Sequence, residues 1–257
     1  MLVSRIFARY FPPHRMIQVA GLTKLYGDFR AVSDLSFGVR AGEIMGLVGP
    51  NGAGKTSTLR CLAGIIPATA GAICIAGHEL AAEPLAAKQE LAFFSDEPRL
   101  FDYLTVWQHL EFTARLYQVA DAAVRGRELL AELEMADKAD LLPGELSRGM
   151  KQKVALACGL VHAPKVMFFD EPLTGLDPLA IRRTKNLIVQ RARAGAAVVI
   201  SSHLLHLLEE VCSHVLILKR GVKVVHGTLE EIRAFAGDAN ASLEEVFIRL
   251  AGADAGQ

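Results

Sequence analysis

"GPNGAGKTS", Gly49 to Ser57, is the stretch that decides the fold. Gly49, Pro50, Asn51, Gly52, Ala53, Gly54, Lys55 and Thr56 fill every place of G-x-x-x-x-G-K-[ST], and Ser57 follows. The glycines let backbone N–H groups curl around phosphates with no Cβ in the way. Lys55 brings a positive charge to the β- and γ-phosphates. The Thr56 hydroxyl can ligate Mg²⁺, and Ser57 can reach the α-phosphate. "EIMGLVG" from Glu43 reads as a buried strand entering the loop, and Lys55–Leu62 reads as a helix leaving it. A strand, a glycine loop and a helix in that order call for an α/β architecture.

Working outward, short apolar runs rich in β-formers alternate with helical patterns. This predicts a mainly parallel sheet flanked by helices. Ile17–Leu22 and Leu35–Val39 read as strands of a small antiparallel β lobe. "AICIAG" and "LAFFS" are further strands. Thr105–Tyr117 and Asp121–Glu134 are helical by periodicity and residue type, and predict an inserted helical lobe over about 97–150. "VMFFD", "AVVIS" and "HVLIL" are near-continuous apolar runs, as parallel strands covered on both faces are. One more strand and two short helices follow Gly221 and end near Ala251.

The bulk numbers suit a large core. Of 257 residues, 51% are hydrophobic and 22% charged, and 28 Lys plus Arg balance 28 Asp plus Glu. Disorder is thereby disfavoured, and net charge makes no case for nucleic acid. Cys61, Cys74, Cys158 and Cys212 form no CxxC pair and read as reduced core thiols. No run approaches the roughly 20 apolar residues that span a bilayer. Residues 1–15 are basic and aromatic, and Arg5 and Arg9 interrupt any signal-like region. They read as an extension or a misplaced start before Met16, with a membrane-surface helix as the alternative.

Three further places carry chemistry. Asp170 ends the apolar strand "VMFFD", where a carboxylate is costly unless it is paired or metal-bound. A nucleotide-bound Mg²⁺ would satisfy it, at the carboxyl edge where α/β sheets bind ligands. Glu171, next in sequence, is suited to orient or deprotonate a water. His203 ends another buried strand, "VVISSH", on that same edge, and can sense a γ-phosphate. In "ELSRGMKQKVALA", Ser147 to Gly149 opens a helix, which makes a second anion-facing helix start.

This order of motifs resembles the nucleotide-binding subunit of an ATP-binding cassette (ABC) transporter. The P-loop, the Ser-x-Gly turn, the acidic strand end, "GLDP" and the strand-end histidine all match, over roughly Met16 to Gly227. The resemblance continues loosely to "SLEEVFIRLAG". It implies an ATPase domain over 16–227 and a C-terminal helical tail over 228–257. It implies ATP and Mg²⁺ as cofactors, Asp170 as the Mg²⁺-binding aspartate, Glu171 as the catalytic glutamate and His203 as the switch histidine. Leu146–Met150 resembles the signature motif, Asp177 the D-loop aspartate, and Tyr26 the ring on which adenine stacks. In this family, two ATP-binding subunits pair head to tail. Ser147 and Gly149 of one close on the γ-phosphate held by the other's P-loop. The second subunit is another copy or a sibling, and a separate polytopic permease forms the membrane path. The family thus implies a peripheral place on the cytoplasmic face, no nucleic acid and no direct contact with cargo.

Two positions depart from the family pattern. LSRGM stands where LSGGQ is commonest, so Arg148 and Met150 replace a glycine and a glutamine. This variant resembles those of bacterial two-gene exporters. In "AFFSDEPRLF", Asp96 occupies the place of a glutamine that reaches Mg²⁺ and the attacking water, which makes Asp96 a candidate for the metal shell. Two other functions compete with the transporter engine. A soluble cassette ATPase acting on nucleic acid or ribosomes is disfavoured by the single P-loop and by the short span of about 90 residues between Lys55 and Leu146. A regulatory subunit with low turnover is motivated by Asp96 and the altered signature.

Overall fold

In the computed structural model, which describes residues 15–174 and 177–252, the apolar runs pair into two sheets. The core sheet has six strands in the order β10-β9-β3-β8-β7-β6. These are β3 (Ile44–Val48), β6 (Leu91–Phe94), β7 (Val166–Asp170), β8 (Ala197–Ser201), β9 (His214–Lys219) and β10 (Val222–Thr228). All neighbours run parallel except β10, which returns antiparallel along β9. The smaller sheet is antiparallel, in the order β2-β1-β4-β5, with β1 (Arg15–Tyr26), β2 (Phe29–Arg40), β4 (Ala70–Ile75) and β5 (His78–Glu79).

The strand expected at Ile17–Leu22 is only the middle of β1, and that at Leu35–Val39 only the last part of β2. A two-residue turn pairs Tyr26 with Phe29 and extends the hairpin to 12 residues a side. The missed segments, Thr23–Tyr26 and Phe29–Asp34, mix charged and polar residues with apolar ones and show no clean alternation, so periodicity alone shortens both strands. The first fourteen residues of the expected extension lie outside the described residues, and Arg15 already belongs to β1.

The core strands are buried on both faces, and alternate residues feed two different cores. In β7, Val166 and Phe168 pack toward the antiparallel lobe, while Met167 and Phe169 pack toward the helices. Both phenylalanines are fully buried. Nine helices cover the described residues: α1 (Lys55–Leu62), α2 (Pro84–Gln89), α3 (Val106–Leu116), α4 (Ala122–Glu132), α5 (Arg148–Leu160), α6 (Pro178–Arg193), α7 (Leu205–Val211), α8 (Leu229–Phe235) and α9 (Leu243–Gly252).

Local chemistry starts several of these helices. Thr105 and Gln108 form a reciprocal capping box ahead of α3. Ser147 caps α5, and Asp177 caps α6, whose first residue is Pro178. The helical lobe contains α3, α4 and the start of α5. However, α5 runs past 150 to Leu160 and packs against β6, so one helix belongs to both lobe and core. The tail is likewise part of the main core, which buries Ile232, Leu243 and Val246 beside Val215 and Ile217.

Candidate functional site

The P-loop leaves β3 between its parallel neighbours β8 and β9, and α1 begins at Lys55. Two of its glycines are required by packing as well as by phosphate access. A Cβ on Gly49 would sit 2.5 Å from the Leu218 carbonyl oxygen. Gly54 has φ +98°, and a Cβ there would sit 2.3 Å from the Ala31 carbonyl oxygen. The loop is therefore clamped between β9 and β2, with its first helical N–H groups lacking carbonyl partners a turn earlier. Lys55 is buried, and its Nζ donates to the carbonyls of Gly49 (2.7 Å) and Pro50 (3.4 Å). Burial pushes the ammonium below the usual lysine range, opposed by Glu171 and Asp170.

Asp170 is buried at the end of β7, and the Thr56 hydroxyl donates to its Oδ1 at 3.1 Å. A second hydroxyl, that of the fully buried Ser201, donates to the same oxygen at 2.7 Å. Asp170 and Ser201 are register partners on β7 and β8. Ser201 also holds Glu171, whose N–H donates to the Ser201 Oγ (3.2 Å) and carbonyl (3.1 Å). Glu171 takes a left-handed φ of +53°, rare for a residue with a side chain. Its Oε2 accepts from the His203 ring Nδ1 at 2.8 Å, the His203 backbone N–H at 3.2 Å and the Thr174 hydroxyl at 3.5 Å. Tyr26, at the end of β1, is half-exposed, with its hydroxyl 3.4 Å from the Ser57 Oγ and Lys24 Nζ 4.9 Å from its ring centroid.

These groups fit Mg²⁺ carried by a nucleotide. Among the described residues, no cluster of three His, Cys, Asp or Glu could cage a metal unaided. Mg²⁺ ordinarily keeps waters and phosphates and takes only one or two protein oxygens. Thr56 and Asp170 offer that donor set.

Ser147, Gly149 and Asp177 open on a different surface. They share a cavity of about 380 Å³ with Gln152, Ala180 and Thr184, and no P-loop residue lines it. The Ser147 hydroxyl accepts from the Met150 N–H at 3.3 Å, and Asp177 Oδ1 accepts from Leu179 and Ala180 at 2.9 Å each. Gly175 and Leu176 lie outside the described residues.

Asp96 has a partner in the folded chain. Its carboxylate accepts from the Arg148 guanidinium at 3.1 Å, rather than joining the oxygens around Asp170. Sequence reasoning missed Ser201 altogether. The signal was present, since a hydroxyl ends the otherwise apolar run "AVVIS", but only sheet register sets it opposite Asp170. His109 was missed as well. It is buried, its Nδ1 donates to the Thr105 carbonyl (2.7 Å) and its Nε2 accepts from the Phe101 N–H (2.9 Å).

A family model described as ABC transporter matches residues 32–174. The ABC-type transporter ATP-binding protein EcsA of Bacillus subtilis is 33% identical over 94% of this chain and 98% of its own length. The doxorubicin resistance ATP-binding protein DrrA of Mycobacterium tuberculosis is 33% identical over 86% of this chain and 68% of its own. A solved structure of an ATP-binding subunit of an ABC transporter superposes with a TM-score of 0.87 at 34% identity, covering 91% of this chain and 99% of that one.

Proposed function

The chain belongs to the ABC transporter family of ATP-binding proteins, and we propose that it is the ATP-hydrolysing engine of a membrane exporter, working as one half of a head-to-tail pair. The observation that carries this reading is a half-built site. Lys55, Thr56, Asp170, Glu171 and His203 converge at the carboxyl edge of β3, β7 and β8. Ser147, Gly149 and Asp177 gather on another surface.

In this reading, the backbone and Lys55 of one subunit hold the triphosphate. Thr56 and Asp170 would hold Mg²⁺, which when bound would neutralise phosphate charge. Tyr26 stacks on the base. Glu171 accepts a hydrogen bond from the attacking water and draws its proton, while His203 fixes the carboxylate and reports on the γ-phosphate. The partner subunit's α5 start brings a hydroxyl and free N–H groups to the charge that develops on the phosphate. Closure needs ATP and opening follows hydrolysis, so the pair can do mechanical work.

Among the described residues, no helix is long and apolar enough to cross a membrane, so the path is assigned to a separate polytopic subunit. Phe101, Tyr103, Phe112 and Leu116 are exposed on the loop and helix α3 of the helical lobe, a surface suited to that partner. A peripheral place on the inner membrane face follows from this. Export is favoured by LSRGM and by the resistance function named for DrrA.

The test is Glu171→Gln with ATP and Mg²⁺ on gel filtration. A dimer that needs ATP, with turnover lost, is the expected result. A chain that stays monomeric at micromolar concentrations would refute the shared-site mechanism.

A further inference from the structure

Two residues that depart from the family pattern meet each other. Arg148, the first residue of α5, donates to Asp96, in the loop after β6. Both side chains are half-exposed. The first turn of α5 carries no acidic residue, and Lys151 and Lys153 follow Arg148. A cation at a helix N-terminus opposes the macrodipole, so Arg148 needs a counter-ion from elsewhere. Asp96 supplies it. Lys153 is drawn instead toward Glu134, at 3.8 Å.

The pair also completes a two-point attachment. Toward the other end of α5, Gly159 lies directly against the Phe94 ring, closer than any Cβ would allow. Phe94 stacks on Phe169 at 4.4 Å, and Phe169 precedes Asp170. Gly159 and Arg148 are about 16 Å apart along the helix. Phe94 thus fixes one end of α5 to β6, and Asp96, two residues farther along the same chain, fixes the other. The turn between them is closed by the Ser95 hydroxyl donating to the Glu97 carbonyl at 2.7 Å.

We propose that Asp96 is a positioning residue. Through Arg148 it sets the direction of the α5 start, and with it the Ser147 half-site that closes on the partner's ATP. This rests on the shared-site reading above. It also assigns Asp96 outside the metal shell.

The experiment is a double-mutant cycle on ATP-driven dimerisation, run in the Glu171→Gln chain with Asp96→Asn, Arg148→Gln and both together. The monomer's ATP affinity and the Mg²⁺ concentration for half-maximal dimerisation are measured alongside. An exposed ion pair predicts that each single change weakens the dimer about two- to fivefold. The double variant should be no weaker than the singles, and exchanging the charges, Asp96→Arg with Arg148→Asp, should restore the parent affinity. The Mg²⁺ midpoint should not move.

Three results would overturn the inference. One is multiplied effects in the double variant. Another is a Mg²⁺ midpoint that rises with Asp96→Asn whether or not Arg148 is present. The third is a tighter dimer on Asp96→Asn, which would mean that Arg148 meets phosphate and Asp96 only restrains it. A parent Glu171→Gln chain that never dimerises would instead sink the shared-site reading, and the inference with it.

Discussion

Replacing Ser201 by alanine removes one oxygen from the interior and tests the wiring of the site. The Ser201 hydroxyl makes two contacts: donation to Asp170 Oδ1 at 2.7 Å and acceptance from the Glu171 N–H at 3.2 Å. The second is nearly redundant, because the same N–H also reaches the Ser201 carbonyl at 3.1 Å. The first is a bond to a charged, buried acceptor, a class worth about 1.5–3 kcal/mol. Asp170 keeps the Thr56 hydroxyl, which moderates the loss. Ser201→Ala should therefore cost about 2 kcal/mol, read as a lower urea midpoint of the nucleotide-free chain with an unchanged slope. In a cycle with Asp170→Asn, about half or more of that cost should vanish, because a neutral amide no longer rewards the hydroxyl so strongly. ATP turnover should fall further than ATP affinity, since Lys55 and the loop backbone still hold the phosphates. A loss below about 0.5 kcal/mol, or full additivity with Asp170→Asn, would refute the argument that Ser201 compensates the buried carboxylate.

Lys55→Ala should abolish the thermal shift that ATP gives the parent, about 2.7 kcal/mol of stabilisation at a hundredfold excess over Kd; a retained shift in scanning fluorimetry would refute the P-loop assignment. Gly54→Ala forces a side chain into φ +98° and against the Ala31 carbonyl. It should cost at least about 2 kcal/mol and lower Tm by roughly 4 °C or more, with unchanged melting as the contrary result. Burial, followed by the charges of Lys223, His214 and Arg15, holds the His226 ring down at about 4. An imidazole kept neutral by folding takes up its proton more readily when unfolded, so its contribution is complete above about 6.5 and is lost as pH falls toward 4. The loss is bounded at roughly 3 kcal/mol and is smaller for a partly exposed ring. His226→Gln should flatten urea midpoints measured between pH 4 and 7, and an equally steep profile would count against it.

The nucleotide end of this protein was legible in the sequence because its parts are local. A P-loop works through consecutive backbone groups, so Gly49 to Ser57 declares itself; the strand before it follows from a contiguous apolar run, and the helix Lys55–Leu62 from its place after the loop. Asp170 was legible for a related reason: it ends an apolar strand, where a carboxylate is out of place without a partner, and His203 was legible from its place just beyond the apolar strand that ends at Ser201. Ser147 was legible as the start of a helix, whereas Asp177 was placed only by its resemblance to the family motif, and the fold makes both helix caps. The partners were another matter. Ser201 opposes Asp170 only because β7 and β8 are adjacent and in register, and it lies 31 residues away in sequence. His203 finds Glu171 across 32 residues, at a left-handed turn that no local preference demands of a glutamate.

Asp96 shows the same division most clearly. Resemblance to the family makes it a candidate for the metal shell, while the fold brings a guanidinium 52 residues away to within 3.1 Å of it. Residue types and short-range spacing determined which chemistry the chain can perform, because helix starts, glycine loops and strand ends are built from neighbours. Which charge answers which was decided by sheet order and helix packing, because electrostatic energy depends on distance in space rather than along the chain.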